Sequence, residues 1–384
     1  MKIKEFFVKR KSSIIHLMGS LGLLLIAGGV GVGIGLYKTN GVDKYIMEAH
    51  DYYKDNNWVA LYNYAELKDD DFINEFFFEE LAKKKYGYVN EDTLKLGEVK
   101  KNDNGATVEM YYADSLGDKI SCDFVMDKLP EKNYVFFNEW KLNIDNLIIN
   151  QCTIEAPSDV KIYLDGVELN NNNSRIGHKG AVGNVEYMIP RLFKGEHTIF
   201  IERDMIEPQE IVVNWNEDKS VFTVDTSQFV LVEGATSGIE NYSENIVKLM
   251  YKNVFEETEL EGIDAYIDNK DSVKEEFKGI YDKILSAIQP EDGSTLNSLS
   301  ITGFENFALS YTYPDKVAVS VDYNCTFKAR GPRNAANGAR EKYEGETKSN
   351  VTMEYIFNGE NWVCNKLNMD CIDYSKKEEV EEKK

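Results

Sequence analysis

Histidine is scarce in this 384-residue chain, with four copies at His16, His50, His178 and His197. None falls in an HExxH or Cys/His arrangement, which removes the common zinc-hydrolase patterns. The five cysteines show no CxxC spacing, so a zinc ribbon is excluded. There is no G-x-S-x-G and no P-loop, and the Ser-x-x-Lys spacing of Ser158-Asp159-Val160-Lys161 stands without a Ser-Asp-Asn or Lys-Thr-Gly elsewhere. Nucleophile-elbow acyl transfer, penicillin-binding chemistry and nucleotide triphosphate chemistry all lack their residues. Positive charge is short as well: 44 Lys and Arg stand against 66 Asp and Glu, for a net charge of −22. Such a surface repels phosphates, so nucleic acid is not an expected partner. Proline is rare, at seven, while 42% of residues are hydrophobic and 12% aromatic; that composition folds rather than staying disordered. No catalytic residue, metal ligand set or cofactor motif can be placed, and the expectation is a protein that is not an enzyme.

What is present is distributed unevenly. Residues 1–37 carry Lys2, Lys4, Lys9, Arg10 and Lys11 against Glu5, a net +4, which leaves −26 on the rest. Ser13 to Tyr37 contains no Asp, Glu, Lys or Arg over 25 residues. As a helix this run would reach roughly 37 Å, enough to cross a hydrocarbon core of about 30 Å. It is longer than a signal-peptide core and lacks a following A-x-A-like site. The expectation is an uncleaved transmembrane helix over 13–37. Basic residues before it keep the tail 1–12 in the cytoplasm and put the rest outside the cell. Within the run, Ala27, Gly31 and Gly35 recur at i+4 steps. Two readings stand: close helix packing that makes a homo-oligomer, or a flexible glycine-rich exit from the membrane.

Beyond the run, periodicity divides the chain. Residues 42–148 open with helical spacing. Tyr45, Ile46, Ala49, Tyr52 and Tyr53 mark one helix, and Trp58, Leu61 and Tyr62 a second. Asp69-Asp70-Asp71 caps a third that presents Phe72, Ile73, Phe76, Phe77 and Leu81. Period-two alternation follows, with Val108, Met110 and Tyr112 after an Asn104-Gly105 turn and then Ile120, Cys122, Phe124 and Met126. Residues 150–232 show no helical pattern and six or seven short strands separated by turns such as Asp165-Gly166, which suits a β-sandwich. Residues 239–372 repeat the helices-then-strands order, and 375–384 form a charged tail expected to be disordered.

Two further features carry candidate chemistry. Cys325 and Cys364 fall in strands of one domain; either they pair, or all five cysteines are small buried apolar residues. Lys328, Arg330, Arg333, Arg340 and Lys342 crowd a stretch with one acid, Glu341, read as a long mobile loop. Such a loop either grips carboxylate or phosphate groups of a polymer by forked hydrogen bonds or is merely solvated. Asp123, Asp145 and Asp322 lie on expected strands and alternate with apolar neighbours, so each is expected to face solvent.

Helices packed against a curved antiparallel sheet resemble the cone-shaped NTF2-like fold, and both 42–148 and 239–372 fit it. The stretch Thr153 to Leu169, containing Tyr163-Leu164-Asp165-Gly166, and the later Gly195-Glu196-His197-Thr198-Ile199 are similar to PEGA-type β-sandwich modules of bacterial surfaces. An anchor followed by such domains resembles the teicoplanin-resistance-associated (TcaA-like) membrane proteins of Gram-positive bacteria. The fold class is therefore expected to be α+β: a transmembrane helix, then two NTF2-like domains separated by a β-sandwich. The resemblance implies an envelope binding or scaffold protein linked to wall maintenance or tolerance of wall-targeting antibiotics. Its expected partners are the lipid bilayer, wall polymer and other envelope proteins. It supplies no catalytic residues, and the cytoplasmic zinc ribbon of those relatives is missing from the short tail here. A bitopic component of a secretion or conjugation channel is the alternative, and an NTF2-like small-molecule enzyme the third reading.

Overall fold

The computed structural model describes residues 41–86, 89, 92–113, 117–133, 137–178, 183–291, 293–334 and 338–372. The expected membrane span with Ala27, Gly31 and Gly35, the basic tail and the charged tail 375–384 lie outside the described residues. Among the described residues no helix is long and apolar enough to cross a membrane. The chain is mixed α+β and mostly sheet, in two compact units. The first runs to Ile201 and takes in Glu210–Val224; the second holds Glu202–Gln209 and everything described from Asp225 onward.

The first unit opens with helices α1 (Val42–Lys54), α2 (Trp58–Tyr64) and α3 (Glu75–Tyr86). Helix α1 buries Val42, Ile46, Ala49 and Tyr53, one stripe at helical spacing. Asn57 ends the link to α2 by accepting the Ala60 N–H at 3.1 Å. Helix α3 starts later than its aspartates suggest. Asn74 is its cap, accepting from Phe77 N at 3.1 Å. Asp70 instead fastens the turn before it, accepting from Phe72 N at 3.0 Å and Ile73 N at 2.7 Å. Both residues follow from the same rule, that a short polar side chain satisfies early helical N–H groups; the rule does not say which of several candidates is used.

Strands β1 (Lys95–Lys101), β2 (Gly105–Ala113), β3 (Lys119–Asn133) and β4 (Phe137–Asn143) form an antiparallel meander in that order. The turn before Gly105 is held by Asn102 Oδ1, which accepts from Asn104 N and Gly105 N. Tyr53 is the hub of the helix–sheet core. Its ring lies 5.2 Å from Trp58, 5.5 Å from Tyr86, 5.9 Å from Tyr112 and 5.4 Å from Phe124, all edge-on. Such pairs add about 0.5–1.5 kcal/mol each beyond the area they bury. Asp145 leads a 3-10 turn, Asp145–Leu147, rather than a strand; like Asp123 it is exposed.

Among the described residues eight strands follow, more than the sequence suggested: β5 (Ile148–Pro157), β6 (Lys161–Leu164), β7 (Val167–Glu168), β8 (Arg175–His178), β9 (Asn184–Phe193), β10 (Gly195–Glu202), β11 (Gln209–Trp215) and β12 (Val221–Thr223). They form two four-stranded sheets, β11-β10-β6-β7 and β12-β5-β9-β8. The extra strands are two to four residues long, too short for period-two alternation to register. His178, expected in a loop, ends β8 opposite Val185.

In the second unit, α4 (Glu233–Glu256), a 3-10 turn at Ile263–Ala265 and α5 (Asp271–Ile288) precede a second meander. Its strands are β13 (Thr295–Thr312), β14 (Lys316–Arg330), β15 (Lys342–Phe357) and β16 (Trp362–Met369). Val317, Val319, Val321, Tyr323 and Cys325 line the buried face of β14. Two buried polar contacts fix α4 on this sheet: Tyr251 Oη to Tyr323 Oη at 3.0 Å and Ser243 Oγ to Tyr355 Oη at 2.8 Å.

All five thiols are free. Cys325 and Cys364 cannot meet within this sheet, because β15 runs between their strands. Cys325 is level with Thr347 and Cys364 with Tyr355, which separates them by roughly 26 Å along the strand direction at about 3.3 Å per residue. Sharing a sheet is not the same as sharing a register.

Candidate functional site

Among the described residues the core of the first helix–sheet body closes around Tyr53. Beside Tyr53 and Cys122 a space of about 30 Å³ is left, room for about one water. The outer face of the second meander carries an open trough of about 530 Å³ lined by small side chains, including Ala308, Ser310, Ala318 and Ser320. A larger cleft, about 760 Å³, opens in the first unit where α3 meets β9, β10 and the end of β11.

Local sequence explains why this cleft exists. Phe76, Phe77 and Phe78 are consecutive on α3, and a helix turns about 100° per residue, so the three cannot share one buried face. Phe78 enters the core at 1% exposure and lies tilted against Phe193 of β9, ring centres 5.8 Å apart, while Phe76 is left 62% exposed. This corrects the expectation that Phe76 faces the core. Phe76, Phe77 and Leu81 thus present one apolar wall to the cleft, with Leu192 and Phe193 opposite.

Three contacts hold the walls. Arg191 of β9 donates to Asp70 Oδ2 at 2.6 and 3.1 Å and to the Lys68 carbonyl at 2.7 Å. Gly195 takes φ +136°, and a side chain there would begin 3.5 Å from Leu81. His197 is 7% exposed, with Nδ1 2.7 Å from Asp165 Oδ2 and Nε2 2.7 Å from the Phe193 carbonyl.

The charges around the cleft are not balanced. Lys83 is paired with Glu79 at 3.1 Å and Glu80 at 3.2 Å. Its neighbours Lys84 and Lys85, and Lys194 across the cleft, have no ion-pair partner among the described residues. Burial holds the Lys85 ammonium below the ordinary lysine value, and the nearby Lys194 charge pushes the same way, against the pull of Cys122. Of the lining acids, Glu80 is engaged by Lys83 and Asp165 by His197 and Thr198 N, leaving exposed Glu196. No nucleophile–base pair faces the space; its one imidazole is bound on both ring nitrogens. Among the described residues no His, Cys, Asp and Glu group could hold a metal ion.

The basic residues picked out in the sequence are arranged differently from a long loop. Lys328 and Arg330 end β14, and Lys342 begins β15. Arg330 is directly opposite Lys342, and Lys328 opposite Glu344, to which it is paired at 3.0 Å. Pairing runs on past the strand ends through Gly331 N to the Glu341 carbonyl and Asn334 N to the Ala339 carbonyl. Arg333 is exposed and Arg340 half-exposed in this extension. Hairpin hydrogen bonds, invisible to a reading of charge and glycine content, convert the expected loop into a paired arm.

No protein-family profile matches this chain, and no curated protein matches it. Among solved structures, one titled "Ntf2 like protein involved in plasmid conjugation" aligns over 75% of this chain and 79% of that chain, at 9% identity and a TM-score of 0.18. At that similarity it carries no argument about this chain.

Proposed function

We propose that this chain is a non-catalytic binding protein of the bacterial envelope, anchored by residues 13–37, with the cleft between α3, β9 and β10 as its ligand site. The observation that carries the binding role is the contrast between a packed interior and an open surface cleft. A substrate needs space beside reactive groups, and the described core of the first helix–sheet body is filled by rings such as Tyr53, Tyr86, Tyr112 and Phe124. The cleft offers space of the size small ligands use, roughly 300–1,000 Å³, without a nucleophile poised in it.

The finer reading treats 42–148 and 239–372 as NTF2-like domains around a PEGA-type sandwich over 150–232, in a TcaA-like arrangement. Supporting it are helices followed by a four-stranded meander, twice, and two short-stranded sheets between them. Export of these domains is supported by the charge asymmetry around the uncharged run.

A photo-crosslinking residue in place of Phe76, in the full chain in its own cells, tests both parts. The proposal expects crosslinks to an envelope component, and digestion of the domains by protease added to wall-stripped cells. Protease protection would sink the location. Crosslinks to the subunits of a secretion or conjugation channel would replace the scaffold reading with the channel one.

A further inference from the structure

We infer that the cleft binds an amphiphilic anion: a single alkyl chain ending in a carboxylate, with the chain along Phe76, Phe77 and Leu81 and the head group among Lys84, Lys85 and Lys194. This rests on the reading of the cleft as the binding site.

The first observation is apolar. Phe76 is 62% exposed on a helix whose buried face is anchored by Phe78 and Ala82. An exposed ring beside half-buried Phe77 and Leu81 is a continuous apolar strip rather than scattered surface carbon. The second is electrostatic and independent of the first. On α3, Glu79 and Glu80 engage Lys83 and leave the two lysines after it without a carboxylate partner among the described residues. Among these residues Lys84, Lys85 and Lys194 make no ion pair around the same cleft, Lys85 lying over the Tyr86 ring at 5.5 Å, and the nearby Lys194 charge disfavours that of Lys85. An anion between them relieves that repulsion, whereas a cation adds to it.

Geometry narrows the class further. The cleft's 760 Å³ suits one chain and a head group. Protein partners instead spread over about 800 Å² a side. The walls are fixed before binding, by Arg191 on Asp70 and by the packing of Phe78 on Phe193. Little ordering is then required of the protein when the ligand enters.

The test uses the full chain in lipid nanodiscs with a fluorescent dansyl-undecanoate probe, empty nanodiscs correcting for partition into the bilayer. Decanoate, decanol and decyltrimethylammonium compete for the probe. Decanoate is expected to displace it about tenfold more effectively than decanol, the gain of a charge-assisted contact, with the cation weakest. Lys84→Glu with Lys194→Glu should erase the preference for decanoate while leaving decanol unchanged; should that variant not fold, Lys84→Gln with Lys194→Gln makes the same test. Phe76→Ser should weaken decanoate and decanol together. Equal displacement by all three competitors, a preference untouched by the lysine variants, or stronger displacement by a soluble acidic peptide would each overturn the inference. Crosslinking at Phe76 in cells without any decanoate preference would sink the ligand class and leave the cleft standing as a binding site. Loss of both would remove the cleft as well.

Discussion

The carboxylate of Asp165 joins the β6–β7 turn to β10 through His197: Oδ2 is 2.7 Å from His197 Nδ1, and Oδ1 accepts from Thr198 N at 2.8 Å. Asp165 and Gly166 both take positive φ, 50° and 82°, the geometry of a tight type I′ hairpin turn. The two sequence segments around Asp165 and around His197 are therefore bonded to each other. His197 in turn donates from Nε2 to the Phe193 carbonyl, beside the cleft wall. Asp165→Ala strands a buried ring nitrogen and a backbone N–H, and should cost about 2–3 kcal/mol in urea unfolding. Asp165→Asn keeps an acceptor for Thr198 N and should cost less. Equal losses would show that the charge contributes nothing beyond the acceptor.

Adjacent phenylalanines on α3 should behave as opposites. Phe78→Ala empties a fully buried site packed on Tyr62 and Phe193, and should cost about 3–5 kcal/mol. Phe76→Ala removes a mostly exposed ring and should change stability by no more than about 0.5 kcal/mol. Chemical denaturation of the two variants side by side checks this. A large loss at Phe76 would mean that its ring supports the fold rather than a ligand.

These elements show what the sequence conveyed. Stripes long enough to repeat were legible: Ile46, Ala49 and Tyr53 on α1, and Val108, Met110 and Tyr112 on β2, are buried as their spacing requires. The sequence points to the aspartate run as the cap of α3, whereas Asn74 caps it: both side chains can accept an early helical N–H, and only the backbone path decides between them. Strands β7 and β8, two and four residues long, exist through hairpin pairing with β6 and β9 and leave no periodic trace. The cleft was missed although its signal was present, since three successive phenylalanines on a helix cannot all be buried on one face. Lys194 and His197 could not have been joined to Phe76 from spacing alone. Their proximity is a product of β9 and β10 packing beside α3.

The buried thiols predict alkaline sensitivity. Burial pushes the Cys325 thiol up from its ordinary 9.0 to about 11. Cys122 is likewise pushed to about 11 by burial, which outweighs the opposing hydrogen bond from Tyr53. Both raised values favour the neutral thiol in the folded state. Their stabilisation is complete below the unfolded value near 9.0 and is lost as pH rises toward 11, because the unfolded chain ionises first. The melting temperature should fall across that interval. Cys122→Ala with Cys325→Ala should flatten the decline, and an unchanged slope would assign it to the buried tyrosines or to the remaining thiols that burial also raises, such as Cys152 and Cys364.

Arg203 fastens a segment of the second unit. Its Nη1 donates to Tyr311 Oη at 2.6 Å, its Nη2 to the Pro314 carbonyl at 2.7 Å, and its guanidinium is 5.2 Å from the Tyr313 ring centre. A planar fork meets all three partners at once, which an ammonium cannot do. Arg203→Lys should therefore lose most of what Arg203→Ala loses, about 1–3 kcal/mol by thermal or urea unfolding. Full rescue by lysine would show that charge, not the fork, holds the segment.

The basic hairpin invites a test that separates stability from binding. Arg330 and Lys342 are directly opposed on β14 and β15, and like charges so placed are unfavourable. One step along the same face, Lys328 opposes Glu344 and is paired with it, so the sheet accommodates an opposite-charge pair in this position. Arg330→Glu should create a second such pair with Lys342 and raise stability by about 0.2–1 kcal/mol. If the arm grips anionic wall polymer, the same change combined with Arg333→Glu should weaken retention of the protein on purified wall material at low salt. The difference should shrink as added salt screens the interaction. Greater stability with weaker retention would mean that the opposed cations are kept for binding at the expense of the fold. Greater stability with unchanged retention would remove Lys328, Arg330, Arg333, Arg340 and Lys342 from any binding role.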